Sequence, residues 1–338
     1  MFRRLRVGTV AGIGAGGAVA AAAAALIVMG HGHARTVAAS AHPAAALRVV
    51  SLSPGPGAAD ADGGAPVRLT LSAPDPGGPL PDLQPDVPGQ WRRDGATLVF
   101  TPRIGFPPQT RVTVSLRLPG GAWTASFTTG TYPVLRLQQL LGQLGYLPVT
   151  WTGRTFTWHS GYPATLTSFW RPGQPNLITT GAIMAFQSQH GMRPDGTASP
   201  AMWAALLRAA EQQQQNTAGY TYAIASETTP ETLTIWHDGG EVFHSYANTG
   251  IPVAPTAAGT YPVYLRYYFQ IMRGTNPGGS SYADPVYYVS YFHGGDAVHY
   301  FPRGSYGWPQ SLGCVELPWS AAARAWPYLT YGSLITIR

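Results

Sequence analysis

The spacing of hydrophobic positions changes twice along the chain. From about residue 66 to 128 they alternate with polar ones: Val67, Leu69 and Leu71 in PVRLTLS, then Val112, Val114, Leu116 and Leu118 in TRVTVSLRL, then Trp123, Ala125 and Phe127 in WTASFTTG. A period of two sends successive side chains to opposite faces. These runs, separated by Pro/Gly turns, predict a half-buried antiparallel sheet, most simply a β-sandwich.

Near residue 132 the period lengthens. Leu137, Leu140, Leu141 and Leu144 fall at i, i+3, i+4 and i+7, one face of a helix that Gly145 ends. A 35-residue excursion follows. A second helix then carries Ile183 and Phe186 inward, with Thr180 as the expected cap, and a third begins at Ser199-Pro200 and lines up Trp203, Leu206 and Leu207. Three short helices around a small core are expected, with EQQQQN (211–216) as a polar end or linker.

Alternation then resumes in YTYAIAS and in ETLTIWHDGGEVFHSYANTG, where Asp238-Gly239-Gly240 marks a hairpin turn. DPVYYVSYF, AVHYF and the terminal SLITIR are further strands, and only 320–329 reads as helix. The last third is therefore mainly antiparallel β.

The N-terminus differs in kind. Arg3, Arg4 and Arg6 precede an uncharged run from Val7 to Met29, 23 residues and enough to cross a bilayer. Arginines before the run predict a cytoplasmic N-terminus and an exported remainder. The segment 1–41 is read as a membrane anchor, or as a signal peptide cleaved near Ala39–Ala41, and residues 42–65 as an Ala/Pro/Gly-rich tether. The formal charge of +6 owes much to this leader; without it 17 basic residues face 15 acidic ones. No dense basic stripe remains, so no nucleic-acid partner is expected. No ligand set has metal spacing: His31, His33 and His42 are sparse and lie in the leader and the start of the tether. Neither a metal nor a cofactor is expected.

One cysteine, Cys314, stands in SLGCVELP. An unpaired thiol outside the cytoplasm is a liability unless it is buried and inert or kept for reactivity. A thiol becomes a nucleophile when a base takes its proton. Of nine histidines, His293 and His299 lie just upstream in one strand–turn–strand region. His299, on a strand pattern, has a fixed face and is the better general base; His293 sits in a probable turn. Gly313 leaves room for a carbonyl substrate, and N–H groups at such a turn suit an oxyanion.

Three resemblances organise these readings. Residues 46–130, with LSP and LVFTP, resemble the immunoglobulin-like modules of bacterial surface proteins and imply a spacer. Residues 132–212, with LQQLLGQLGY, AFQ, DG and W..L, resemble the peptidoglycan-binding domain found beside wall enzymes. Residues 219–338 resemble the YkuD-type L,D-transpeptidase catalytic domain. HYFPRGSYGWPQSLGCVEL matches its histidine, short insert and Ser-His-Gly-Cys-aliphatic run at His299, Ser311, Gly313, Cys314 and Val315, and NTGIPVAPTAAGTYPVY matches its upstream strand–loop–strand. Two positions depart from the family: Leu312 replaces a histidine and Glu316 an arginine.

The resemblance implies an exported wall enzyme. Cys314 attacks a peptidoglycan tetrapeptide, and His299 takes the thiol proton and passes it to the leaving D-alanine. Gly313 and Ser311 support the turn and oxyanion, and the thioester passes to a side-chain amine of a second stem. Acylation by carbapenems is implied too. Arg303, with Tyr306 and Gln310, is expected on the substrate side, Arg303 standing in for the missing arginine. Two alternatives stay open: release to water as an L,D-carboxypeptidase, and a degenerate domain that only binds wall.

Overall fold

The computed structural model describes residues 46–338, Pro76 excepted. The anchor or signal segment expected at 1–41 lies outside them. Among the described residues no helix is long and apolar enough to cross a membrane.

The alternating first region folds as seven strands: β1 (Val49–Ser53), β2 (Val67–Leu71), β3 (Asp82–Gln84), β4 (Gly89–Asp94), β5 (Thr97–Pro102), β6 (Arg111–Leu118) and β7 (Gly121–Thr128). They form one sheet in the order β1-β2-β5-β4 and another in the order β3-β6-β7. The inward residues of both, among them Leu69, Leu98, Val112, Val114 and Phe127, share one core. The tether reading of 42–65 fails from Val49 onward. Leu52 is buried and β1 pairs with β2, because VVSLS supplies an apolar face that the neighbouring strand covers.

The helical region comprises α1 (Val134–Gln143), a small hairpin of β8 (Val149–Trp151) and β9 (Phe156–Trp158), a single turn α2 (Ala164–Thr167), then α3 (Leu177–Gln189) and α4 (Pro200–Glu211). As expected, Gly145 at φ +78° ends α1 and the Ser199 hydroxyl accepts from Met202 N–H at the start of α4. Thr180 is not the cap of α3. Asn176 is, accepting from Thr179 N–H at 3.0 Å, so the helix starts a turn earlier. The AFQ and DG motifs also gain a reason: Gln187, buried in α3, donates to Asp195 at 2.8 Å and accepts from Gly196 N–H at 2.9 Å.

The last region holds β10 (Thr221–Ser226), β11 (Thr232–His237), β12 (Gly240–Tyr246), β13 (Gly259–Pro262), β14 (Leu265–Thr275), β15 (Ser281–His293), β16 (Asp296–Tyr300), β17 (Val315–Leu317), α5 (Trp319–Ala325) and β18 (Leu334–Ile337). The β11–β12 turn has Asp238 and Gly239 at φ 48° and 84°, the mirror-image turn expected of Asp-Gly. A five-stranded sheet, β12-β11-β10-β18-β13, and a four-stranded one, β14-β15-β16-β17, enclose a core with α5.

The helical and C-terminal regions do not each have a closed core. Tyr220, Tyr222, Ile224 and Leu334 of the C-terminal sheet pack in the same cluster as Leu140, Phe186 and Leu206. Their backbones also meet. A Cβ on Gly332 (φ +83°) would lie 2.0 Å from Gly181 O, and one on Gly239 would lie 2.3 Å from Ser160 O. Only glycine allows either approach.

Candidate active site

Strand parity builds the site. β16 and β17 run parallel, with His299 opposite Glu316. Side chains two apart in a strand share a face, so His299, Glu316 and Cys314 turn the same way. The intervening Val298, Val315 and Leu317 turn into the core. His299, Cys314 and Glu316 line one cavity of about 420 Å³.

The turn before Cys314 is held from within. Ser311 Oγ, fully buried, donates to Cys314 O at 2.6 Å and accepts from Gly313 N–H at 3.2 Å. Gly313 sits at φ +114°, and a Cβ there would meet Asp296 Oδ1 at 2.5 Å. Its smallness thus admits the Asp296 carboxylate, which also accepts from Ala257 N–H at 3.1 Å. From the other side, Thr249 O accepts from both Gln310 and Ser311 N–H at 2.9 Å. Thr249 is fixed in turn by the buried Glu231, whose carboxylate accepts its N–H at 2.6 Å and its hydroxyl at 2.8 Å.

His299 is buried, and its Nδ1 lies 2.9 Å from Tyr300 O. A carbonyl only accepts, so in the neutral ring the proton is on Nδ1 and Nε2 is left as the acceptor. Burial, reinforced by the nearby Arg303 charge, holds the imidazole below its ordinary pKa, against the opposing pull of the Tyr300 carbonyl and of Glu316 and Asp284. Burial pushes the Cys314 thiol up to about 12; Asp296 and Glu316 add to this, and Ala297 N–H opposes it. Near neutral pH the pair is therefore thiol and imidazole, not thiolate and imidazolium. The sulfur is half-buried and lies 3.8 Å from Gly295 O.

The two departures from the family pattern land in the cavity wall. Glu316 receives a bidentate fork from Arg303, Nε to Oε2 at 2.7 Å and Nη2 to Oε1 at 2.8 Å. Arg303 Nη2 also donates to Gln310 O at 3.0 Å. Arg303 thus reaches the cavity with its charge already matched. Leu312 and Gln310 line the cavity as well. Tyr306 does not; its hydroxyl donates to Phe301 O at 2.6 Å and accepts from Arg303 N–H, stapling the 301–306 loop. His293 is half exposed, 3.8 Å from Asp296, and lies outside the cavity lining.

The sequence reading missed the wall contributed by β14 and β15. Met272, Asn276, Tyr282, Asp284 and Tyr291 line the cavity from this long hairpin. Asn-Pro-Gly-Gly at 276–279, between two aromatic-rich runs, was the signal for it.

Comparison with known proteins accords with this picture. Residues 220–337 match the family model of the YkuD L,D-transpeptidase catalytic domain, and residues 132–206 that of the peptidoglycan binding domain. No curated protein matches the chain. Among solved structures, an L,D-transpeptidase from Mycobacterium smegmatis is 16% identical over 86% of this chain and 99% of that one, with a TM-score of 0.34. L,D-transpeptidase 3 from Mycobacterium tuberculosis is 16% identical over 86% and 98%, with a TM-score of 0.33. The catalytic domain of the E. faecium L,D-transpeptidase is 22% identical over 36% and 100%, also at 0.33. The family matches, rather than these overall superpositions, carry the assignment. They define a cell-wall enzyme with a peptidoglycan-binding module beside its catalytic domain. The catalytic domain, residues 220–337, belongs to the L,D-transpeptidase family.

Proposed function

We propose that the enzyme joins peptidoglycan stems through a thioester on Cys314, with His299 as general base. The observation that carries this reading is the shared cavity: an imidazole with its proton on Nδ1 lines the same hollow as the lone thiol. As the sulfur attacks the donor carbonyl, Nε2 of His299 takes the thiol proton. The resulting imidazolium gives that proton to the departing D-alanine amine. The amine of a second stem then attacks the thioester, loses a proton to His299 and restores the thiol. The Cys314 N–H is assigned to the oxyanion, since Gly313 N–H is held by Ser311. Because the resting thiol is neutral, proton removal accompanies attack instead of preceding it.

The remaining parts fit a wall location. The Val7–Met29 run supports export to the outer face of the membrane. The sandwich is assigned an immunoglobulin-like spacer role, supported by a strand order that corresponds to ABED and CFG.

Intact-protein mass spectrometry with a carbapenem tests the nucleophile. A one-to-one adduct that vanishes in Cys314→Ala is expected; an adduct that persists there refutes it. Purified disaccharide-tetrapeptide tests the acceptor. A cross-linked dimer supports transpeptidation, whereas tripeptide with free D-alanine alone assigns water as acceptor.

A further inference from the structure

The thioester chemistry leaves one carboxylate of the catalytic cavity without a task. Asp284 lies on β15 with Tyr282 and Val286 two residues to either side, on the same face of the strand, and all three line the cavity. Its cross-strand partner on β14 is Met272, another lining residue. Tyr282 stands opposite Gly274, and its ring lies over that glycine, where any Cβ would collide with it. The ring is thereby held against β14. The Asp284 side chain is half-buried. Its carboxylate makes no ion pair and accepts no side-chain hydrogen bond among the described residues.

The charges that line the cavity leave room for a cation. Two arginines, Arg273 and Arg303, face three carboxylates, Asp284, Asp296 and Glu316. Arg303 is matched by Glu316 through its two-point fork. Asp296 is engaged as well: it accepts from Ala257 N–H at 3.1 Å, fills the space above Gly313 and lies 3.8 Å from His293. Arg273, one register step from Asp284 across the hairpin, is exposed and forms no ion pair with it. A substrate ammonium therefore brings the cavity to neutrality and meets, in Asp284, a carboxylate with no protein donor to displace. The Asp284 charge also reaches the His299 imidazole, the group that has to take the acceptor's proton.

We propose that Asp284 is a specificity-determining residue, which holds the ammonium group of the acceptor stem and so directs the thioester to an amine instead of water. The held ammonium releases one proton to solvent before the neutral amine attacks. The proposal rests on the L,D-transpeptidase reading of the cavity, but its first test does not depend on thiol chemistry. Purified disaccharide-tripeptide, whose one amine is on the third residue's side chain, is compared with its N-acetylated form in equilibrium binding to the full chain carrying Cys314→Ala. The free amine is expected to bind about tenfold tighter. Adding Asp284→Asn should abolish that preference, and Asp284→Glu, which keeps the charge, should retain most of it. Equal binding of the two ligands with Asp284 intact overturns the assignment. So does a preference that persists in Asp284→Asn, or a loss that Asp284→Glu does not restore, which would mark a structural role. The second test is the product ratio from disaccharide-tetrapeptide. With Cys314 present, Asp284→Asn should shift the products from cross-linked dimer to tripeptide with free D-alanine. If both products fall together, Asp284 serves the donor and the proposal is overturned. If a carbapenem fails to acylate the unsubstituted chain, the thioester reading falls, and the binding comparison still decides whether Asp284 holds an ammonium.

Discussion

The β-sandwich and the helical domain precede the same catalytic domain, yet they relate to their surroundings differently. The sandwich closes a core between its own two sheets. It meets the helical domain through Ile104, which packs at the edge of that domain's core, and through contacts such as Tyr132 to Phe106 O at 2.8 Å and Arg103 to Glu211 at 2.9 Å. The arginine of that ion pair is largely exposed, which makes the pair worth no more than about 1 kcal/mol. The helical domain instead buries Tyr222 and Leu334 of the catalytic sheet within its own core. The helical domain therefore cannot leave the catalytic sheet without exposing Tyr222 and Leu334, whereas the sandwich keeps its core whole by itself.

The largest expected effects lie inside the catalytic cavity and calibrate the comparison. Cys314→Ala should reduce acylation about 10⁴-fold or more, and His299→Ala about 10³-fold, both with the fold retained. Stopped-flow acylation by a carbapenem measures them. His293→Ala should change little, since that ring lies outside the cavity lining; reversed results for the two histidines would reassign the base.

Next come two core truncations of similar size. Leu334→Ala and Leu69→Ala each remove a fully buried side chain, at a cost of about 3 kcal/mol. In calorimetry Leu69→Ala should lower one transition, that of the sandwich, and leave acylation intact. Leu334→Ala should lower the other and slow acylation with it. If Leu69→Ala depresses the whole profile uniformly, the sandwich is not independent and the comparison fails. Gly332→Ala sharpens the test, since its Cβ would strike Gly181 O and Gly332 does not line the catalytic cavity. It should destabilise the fused pair by about 2 kcal/mol.

The smallest effect is the pH dependence. His299 is held neutral below the ordinary imidazole value of about 6.5. Below pH 6.5 the unfolded chain therefore binds a proton that the folded chain refuses. Its contribution to stability is present above that pH and is lost as pH falls toward the lowered folded value. Acylation should follow the same ring, falling only on the acid side of pH 6.5. With the thiol pushed up to about 12, no rise of the kind an ordinary thiol shows near pH 8.5 should appear. Acylation rates and urea midpoints between pH 5 and 9 check both.

Much of this molecule was legible in spacing. The alternation around Leu69 and Val114, the Ser199-Pro200 start, the Gly145 stop and the Asp238-Gly239 turn are each set by residues within a few positions of one another. The cap of α3 was misplaced because two side chains within four residues, Asn176 and Thr180, were both capable of the role. Asn176 won because its amide also bonds Arg171 O and Gln174 O at 3.0 Å. DPVYYVSYF of β15 was read as a strand, but its partner β14 was overlooked because its signal is aromatic instead of strictly alternating.

The sequence by itself determined the order of elements, their turns and caps, and a lone cysteine downstream of a strand histidine. Those features depend on near neighbours, and local periodicity and backbone sterics encode them directly. Only the tertiary structure decided that Glu316 answers Arg303, that Asp296 fills the space above Gly313, and that the helical domain shares a core with the catalytic sheet. Each of these joins groups far apart in the chain. Which groups meet depends on how whole faces dock, a sum over many buried contacts that no short window of residues contains.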